Sequence, residues 1–272
     1  MPTAVSAADP LQSVRDVVGG VSIHGVVSAR PAVGDAPTLV FVHGLGVSTR
    51  YLEPTMRQLT ATHAVAALDL PGFGRSGTPR KALDTTGLAD ALAAWLAARG
   101  IGPAVFVANS YGCQVVVDLT MRYPSAAIGL VLNAPTMDPA HRTAFGQLWR
   151  VIADIPAEPW RLALIVLRDY LRVRPLRLLA TLRHALADHI EEKLPDIKVP
   201  VLVVCGALDP VVTVAWSTEA ARLVGISSPG AAGATLSVVP TAAHALPYDD
   251  PVTFAALIIA FAASIRSHVQ PE

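Results

Sequence analysis

Short apolar runs alternate with stretches of helical periodicity along most of this chain. The runs are rich in β-branched and aromatic residues and too short for long helices, as is typical of buried strands. They lie at 14–18, 21–29, 37–42, 64–70, 104–107, 128–132, 199–205 and 234–239. Strands that alternate with helices at this spacing favour a mostly parallel sheet, so we expect an α/β fold with eight strands, flanked by helices on both faces.

Two segments depart from this alternation. Gly19 and Gly20 separate the first two apolar runs by a tight turn, which predicts an antiparallel hairpin. From 137 to 196 the strand pattern stops, and a helical pattern rich in arginine takes its place. We therefore predict a core domain built from residues 1–136 and 197–272, with residues 137–196 inserted as a helical cap, or lid.

A serine stands at the sharpest predicted turn of the chain. The strand run 104–107 leads to Ser110, and a helical pattern begins at Tyr111. Ala108 and Gly112 flank Ser110 two positions away on either side, and their small size allows strand and helix to approach closely. Such a corner exposes the hydroxyl at the mouth of a sheet with a helix N-terminus behind it, which suits a nucleophile. An N-capping serine is the alternative interpretation.

The chain also supplies the groups that a serine nucleophile needs. A serine hydroxyl needs a base that takes its proton and a carboxylate that orients this base. Asp209 follows the strand run that ends at residue 205, and His244 follows the last predicted strand. Functional groups of such sheets collect beyond the carboxyl ends of the strands. We therefore predict a catalytic triad of Ser110, Asp209 and His244.

The loop after the third apolar run is a candidate oxyanion hole. Acyl transfer through a serine produces a tetrahedral oxyanion, which preorganised N–H donors stabilise. The backbone N–H of Tyr111, next to the nucleophile, is one candidate donor. The N–H of Leu45, just past His43 and Gly44, is the other. We interpret His43 as a structural residue that shapes this loop.

Together these motifs resemble the α/β-hydrolase superfamily, and in particular its serine-dependent members with a helical cap. That group holds carboxylesterases, lactonases, carbon–carbon bond hydrolases and cofactor-free perhydrolases. The resemblance rests on the segments 43–46 and 69–77, the turn at Ser110, and Asp209 and His244 in the chain order of the family. Ala108 departs from the pattern, because the nucleophile elbow of the family has glycine there. The resemblance implies the α/β-hydrolase fold and the chemistry of a serine hydrolase.

We expect the protein to cleave an ester-type bond of a small, largely apolar substrate through an acyl-enzyme. Gly44, Trp149 and Trp160 are the predicted substrate-binding residues. One alternative is a carbon–carbon bond hydrolase whose cap arginines bind the carboxylate of a keto-acid-like substrate. Ala245 disfavours this carbon–carbon hydrolase alternative, because the carbon–carbon hydrolases of this family tend to have tryptophan directly after the catalytic histidine. A second alternative is a ligand-binding member of the fold without turnover, which an intact triad disfavours.

Composition narrows the range of partners and compartments. The formal net charge is zero, which disfavours nucleic-acid binding, and the apolar run at 254–265 is too short to span a bilayer. We therefore expect a small-molecule substrate, with no nucleic-acid and no membrane partner. Cys113 and Cys205 are predicted to be buried thiols, and the N-terminus lacks the pattern of a signal peptide, so we expect a cytoplasmic location. The metal-binding spacings CxxC and HExxH do not occur, so we expect no metal and no cofactor. The sequence leaves the oligomeric state open.

Overall fold

An eight-stranded sheet forms the centre of the molecule in the computed structural model, which describes residues 9–154 and 158–269. Its strands in chain order are β1 (Leu11–Val18), β2 (Val21–Ser28), β3 (Leu39–Val42), β4 (Val65–Leu68), β5 (Ala104–Asn109), β6 (Ala127–Asn133), β7 (Val201–Gly206) and β8 (Ala234–Val239). They lie side by side in the order β1-β2-β4-β3-β5-β6-β7-β8. β2 runs antiparallel to β1 and β4, and the other neighbours are parallel. The predicted fold class, a mostly parallel eight-stranded sheet, is confirmed.

Helices cover the sheet on both faces. They are α1 (Glu53–Leu59), α2 (Thr85–Ala98), α3 (Tyr111–Arg122), α4 (Ala144–Asp154), α5 (Trp160–Arg172), α6 (Pro175–Ala187), α7 (Ile190–Lys193), α8 (Val214–Leu223), α9 (Leu246–Asp249) and α10 (Pro251–Val269). Successive side chains of a strand point to opposite faces of a sheet. Val40 and Val42 of β3 therefore pack with the layer of α2, α3 and α8, whereas Leu39 and Phe41 pack with that of α1 and α10.

The segment predicted as a cap contains the four helices α4 to α7, which lie between β6 and β7. Two buried contacts hold it over the sheet. The Ser48 hydroxyl donates to the carboxylate of Asp169 in α5 at 2.5 Å, and Gln114 of α3 donates to the carbonyl of Ala185 in α6 at 3.0 Å. The division of the chain into a core domain and a cap domain stays a prediction. In the described ranges, no helix combines the length and the apolar character that crossing a membrane requires.

Candidate active site

The predicted turn at Ser110 is a sharp strand–helix corner with strained backbone. β5 ends at Asn109 and α3 begins at Tyr111, so Ser110 alone makes the turn, with φ at 57° and ψ at −126°. A non-glycine residue at positive φ is strained, and such strain recurs at functional sites. The Ser110 N–H donates to the carbonyl of Asn133 at 2.9 Å, which fixes the corner to β6.

The two small residues that flank the serine, Ala108 and Gly112, differ in how much space surrounds them. A Cβ at Gly112 would lie 2.5 Å from the carbonyl oxygen of Val42, so this position excludes larger residues. Ala108, the departure from the family pattern, lies within β5 in register with Val42 and Leu132. An alanine fits there because the sharp turn comes two residues later.

Asp209 and His244 form a hydrogen-bonded pair beyond the carboxyl ends of β7 and β8. His244 Nδ1 lies 2.8 Å from Asp209 Oδ2, while Asp209 Oδ1 accepts the backbone N–H groups of Val211 and Val212 at 2.7 and 2.9 Å. The carboxylate has no proton to give, so Nδ1 carries the ring proton and Nε2 remains available as a base. Burial alone would lower the pKa of His244, but the charge and the hydrogen bond of Asp209, together with further carboxylates nearby, outweigh burial and hold the pKa above its ordinary value.

Close contact between two loops brings these residues together. A Cβ at Gly206 would lie 2.2 Å from the carbonyl oxygen of Ala242, so the end of β7 touches the loop that carries His244. Asn109 Nδ2 also donates to the carbonyl of His244 at 3.3 Å. Ser110 and His244 line one cavity, although no hydrogen bond joins their side chains among the described residues. Such bonds are often long without substrate and tighten when it binds.

The loop after β3 is shaped by a buried histidine and a buried tyrosine. His43 Nε2 accepts the N–H of Leu70 at 2.9 Å and Nδ1 donates to the carbonyl of Gly44 at 2.7 Å, which requires a neutral ring. Burial lowers the pKa of His43, in agreement with that tautomer. The Tyr51 hydroxyl accepts the N–H of Gly44 at 2.9 Å and donates to Asn109 at 2.8 Å.

This arrangement leaves two backbone donors beside Ser110. The N–H of Gly44 is occupied by Tyr51, whereas that of Leu45 has no acceptor among the described residues. Tyr111 is the first residue of α3, and the first N–H groups of a helix have no partner within it. Leu45 and Tyr111 both line the cavity. Their role as an oxyanion hole stays a prediction.

The cavity of about 200 Å³ lies between the loops of the sheet and the cap. Its walls are mostly apolar. Leu162, Ala163 and Val166 of α5 line it from the cap side, and Gly44 lines it beside Ser110, where a Cβ would lie 3.2 Å from that of the serine. A cavity with an apolar wall and a few convergent polar groups is typical of a small-molecule site.

Two predicted substrate-binding residues lie elsewhere. Trp149 and Trp160 are 64% and 68% exposed and are absent from the described cavity wall, so the structure does not support their predicted role. The helical spacing revealed that the cap helices are amphipathic, but not which apolar residues face inward. Leu162 of α5 points inward instead and is 3% exposed.

The cap arginines are also absent from the part of the cavity wall that the structure describes. Arg142 pairs with Glu191 at 2.5 Å, and Arg150 donates to the carbonyl of Pro210 at 2.7 Å. These contacts hold the cap to itself and to the loop of Asp209. A carboxylate-binding arginine, on which the keto-acid alternative depends, is thus missing from the described wall.

Sequence reasoning missed several polar groups of the cavity, and three of them bear on its chemistry. Tyr51 orients the loop after β3, and Asp154 and Glu158 face the cavity from the cap. Burial raises the pKa of Tyr51, so its phenol stays protonated. No motif surrounds these residues, and their position depends on how the cap folds over the sheet. Within ranges 9–154 and 158–269, no cluster of three metal-ligating side chains occurs.

The chain has relatives of known name and structure. It is 28% identical over 120 residues to abhydrolase domain-containing protein abhd-5.2 of Caenorhabditis elegans, an alignment that spans 41% of this chain and only 27% of that protein. It is 28% identical over 262 residues to RutD of Shigella flexneri, which is named for carbamate hydrolysis, across 88% of this chain and 96% of that protein.

A solved structure shares the fold. A thermophilic esterase from Thermogutta terrifontis superposes with a TM-score of 0.76 at 19% identity and covers 93% of this chain and 99% of its own. The family and its hydrolase-named members support a hydrolytic activity. Residues 39–257 match the alpha/beta hydrolase family, to which this chain therefore belongs.

Proposed function

We propose that the protein is a serine hydrolase that cleaves an ester-type bond of a small, largely apolar substrate. The observation that carries the proposal is the convergence on one cavity of Ser110, at a strained strand–helix corner, and His244, which is paired with Asp209. A similar solved structure is that of an esterase, and a similar protein is named for carbamate hydrolysis, which supports the proposal. Both activities transfer an acyl or carbamoyl group to water.

The reaction follows from these positions. His244 Nε2 takes the hydroxyl proton of Ser110 as Oγ attacks the substrate carbonyl, and the N–H groups of Leu45 and Tyr111 stabilise the oxyanion. His244 then gives this proton to the leaving oxygen, and the acyl group stays on Ser110. A water molecule, deprotonated by His244, attacks the acyl-enzyme and releases the acid. Asp209 holds the imidazole in the required tautomer and stabilises its charged form.

The same geometry bears on the alternatives. The carbon–carbon hydrolase hypothesis depended on cap arginines, and these lie outside the described cavity wall. The ligand-binding hypothesis depends on an inert serine. Its test is the reactivity of Ser110 rather than the shape of the cavity.

Hydrolysis of p-nitrophenyl esters of increasing chain length, with Ser110→Ala as the control, tests the proposal. We expect activity on short and medium chains, because the cavity holds about 200 Å³. The Ser110→Ala variant should lose at least ~10³-fold in kcat and should no longer react with a fluorophosphonate probe. A folded wild-type protein that neither hydrolyses esters nor takes up the probe would support the ligand-binding hypothesis.

A further inference from the structure

Three carboxyl groups, two of them from the cap, lie close to His244. Asp154 and Glu158 line the cavity, and Asp249 interacts with Glu158 from the side of the sheet. Glu158 Oε1 accepts the N–H of Ala245 at 2.9 Å, which holds this carboxyl next to the residue that follows His244. The carboxyl of Asp154 interacts with both Glu158 and His244. The cap thus brings two acids to the catalytic base.

Each of these carboxyls has a buried oxygen that no donor from outside the group reaches. Asp154 Oδ1, Glu158 Oε2 and Asp249 Oδ1 accept no hydrogen bond from other described residues, and Glu158 bonds both to Asp154 and to Asp249 within the group. Asp154 is only 9% exposed, although it lines the cavity. Buried polar atoms are normally hydrogen-bonded, so acids on a cavity wall whose free oxygens can bond only to one another can accept donors from a ligand.

The charges around the cavity indicate what kind of donor fits. His244 is the one basic side chain among the residues described on its wall, and its Nδ1 is already bonded to Asp209. Burial raises the pKa of Asp154, and it raises that of Glu158 to about 9, so these acids tend to keep their protons without a counter-charge. A cation beside them would reverse that preference and form charge-assisted hydrogen bonds.

We propose that Asp154 and Glu158 bind a protonated amine of the substrate, so that the enzyme acts on esters that carry a primary or secondary ammonium group. This inference rests on the proposed esterase function for its reaction, but not for its binding site. An ammonium group has several N–H donors, so it can bond to both cavity acids in place of the proton that they otherwise share. Leu162 and Val166 of the same wall would contact the hydrocarbon between the amine and the ester.

Matched esters test the proposal kinetically. One series of esters carries the amine on the acyl side and a second series carries it on the alcohol side, in both cases two to six methylenes from the ester. Each compound is compared with the ester in which a methyl group replaces the ammonium group. We expect at least one ammonium ester to exceed its methyl counterpart by tenfold or more in kcat/KM. Asp154→Asn and Glu158→Gln should each reduce this preference, which is the ratio of the two kcat/KM values, at least fivefold. Glu158→Gln keeps an oxygen that can accept the N–H of Ala245.

A matched control comes from the same cap. Glu192 has a side chain that is 73% exposed and lies outside the described cavity wall, so Glu192→Gln should leave the preference unchanged. The proposal is overturned if no ammonium ester is preferred, or if the preference survives in both Asp154→Asn and Glu158→Gln.

Binding to an inactive variant separates this proposal from the esterase assignment. Ser110→Ala is titrated with n-butylammonium and with n-butanol by calorimetry. Butylammonium should bind at least tenfold more tightly, and the added Asp154→Asn change should remove the difference. If the wild type hydrolyses no ester but this binding occurs, the amine site stands and the esterase function fails. Equal binding of the alcohol would overturn the amine site.

Discussion

Two His–Asp pairs in the described part of the chain have almost the same geometry but different surroundings. His244 Nδ1 lies 2.8 Å from Asp209 Oδ2, and His24 Nδ1 lies 2.9 Å from Asp69 Oδ2. The second pair even has a serine in place, because Ser13 Oγ lies 2.9 Å from His24 Nε2. By hydrogen bonds alone, the second set is the more complete triad.

The backbone around each serine separates the two sets. Ser13 lies in the regular antiparallel strand β1 and outside the cavity walls that the structure describes. Ser110 lies at a strained corner in front of a helix N-terminus and lines the cavity with His244. A Ser-His-Asp chain thus becomes a candidate for catalysis through its cavity and its N–H donors, not through its hydrogen bonds.

The acids differ in what they hold. Asp69 is fully buried and accepts the N–H groups of Thr49 and Arg75 at 2.8 Å each, besides His24. It therefore joins the loop after β3, the loop after β4 and strand β2. Asp209 accepts two N–H groups of its own loop and orients His244. The first acid connects parts of the fold around the site, whereas the second is the proposed catalytic acid.

Replacing each histidine should give the largest difference between the two pairs in their effects on activity and stability. His244→Ala removes the proposed base and should reduce kcat by at least ~10³-fold with little change in the free energy of unfolding. His24→Ala leaves Asp69 with one partner fewer and should destabilise the fold by about 2 kcal/mol, while kcat per folded molecule stays within about threefold. Ester hydrolysis and urea unfolding of both variants measure this. A large loss of kcat in folded His24→Ala would show that the Ser13 set takes part in catalysis.

Replacing the acids should give a smaller but similar contrast. Asp209→Asn keeps the size of the side chain but no longer stabilises the imidazolium, so kcat should fall by ~10²- to 10⁴-fold. Asp69→Asn loses a buried carboxylate with three donors and should cost about 2 kcal/mol of folding free energy. Thermal unfolding and kcat, measured on the same samples, distinguish the two effects. Equal losses of kcat in both variants would remove the functional distinction between the acids.

The sequence predicts the parts of the fold and site that depend on neighbouring residues, and it misses those that depend on contacts between distant segments. Ser110 and Gly112 are recognisable because a strand, a turn and a helix are local, and the alternation of elements gives the sheet. Asp154 and Glu158 are not, since they reach the cavity through the folded cap, where periodicity marks amphipathic helices but not the direction they face. Trp160 illustrates this limit of sequence-based prediction. It is a large apolar residue of the kind that lines pockets, yet it is 68% exposed.

The pH dependence of stability should show the smallest difference between the two His–Asp pairs. The contribution of Asp69 to stability is lost as the pH falls, whereas that of His244 is lost as the pH rises. Burial alone would raise the pKa of Asp69, but hydrogen bonds from His24 and the backbone outweigh it and hold the pKa well below its ordinary range. Its contribution to stability is therefore full above the unfolded pKa of about 3.9 and is lost as the pH falls through the lower folded value.

His244 has a raised pKa, so its contribution is full below the unfolded value of about 6.5 and is lost as the pH rises through the folded value. Activity needs the neutral ring and should rise over this same interval. Urea unfolding from pH 3 to 9 should show a flatter acid limb in Asp69→Asn and a flatter neutral-to-basic limb in Asp209→Asn. Because Asp209 supports the raised pKa of His244, the residual activity of Asp209→Asn should reach its midpoint at a lower pH than the wild type. An unchanged midpoint would mean that the charge of Asp209 does not control the base.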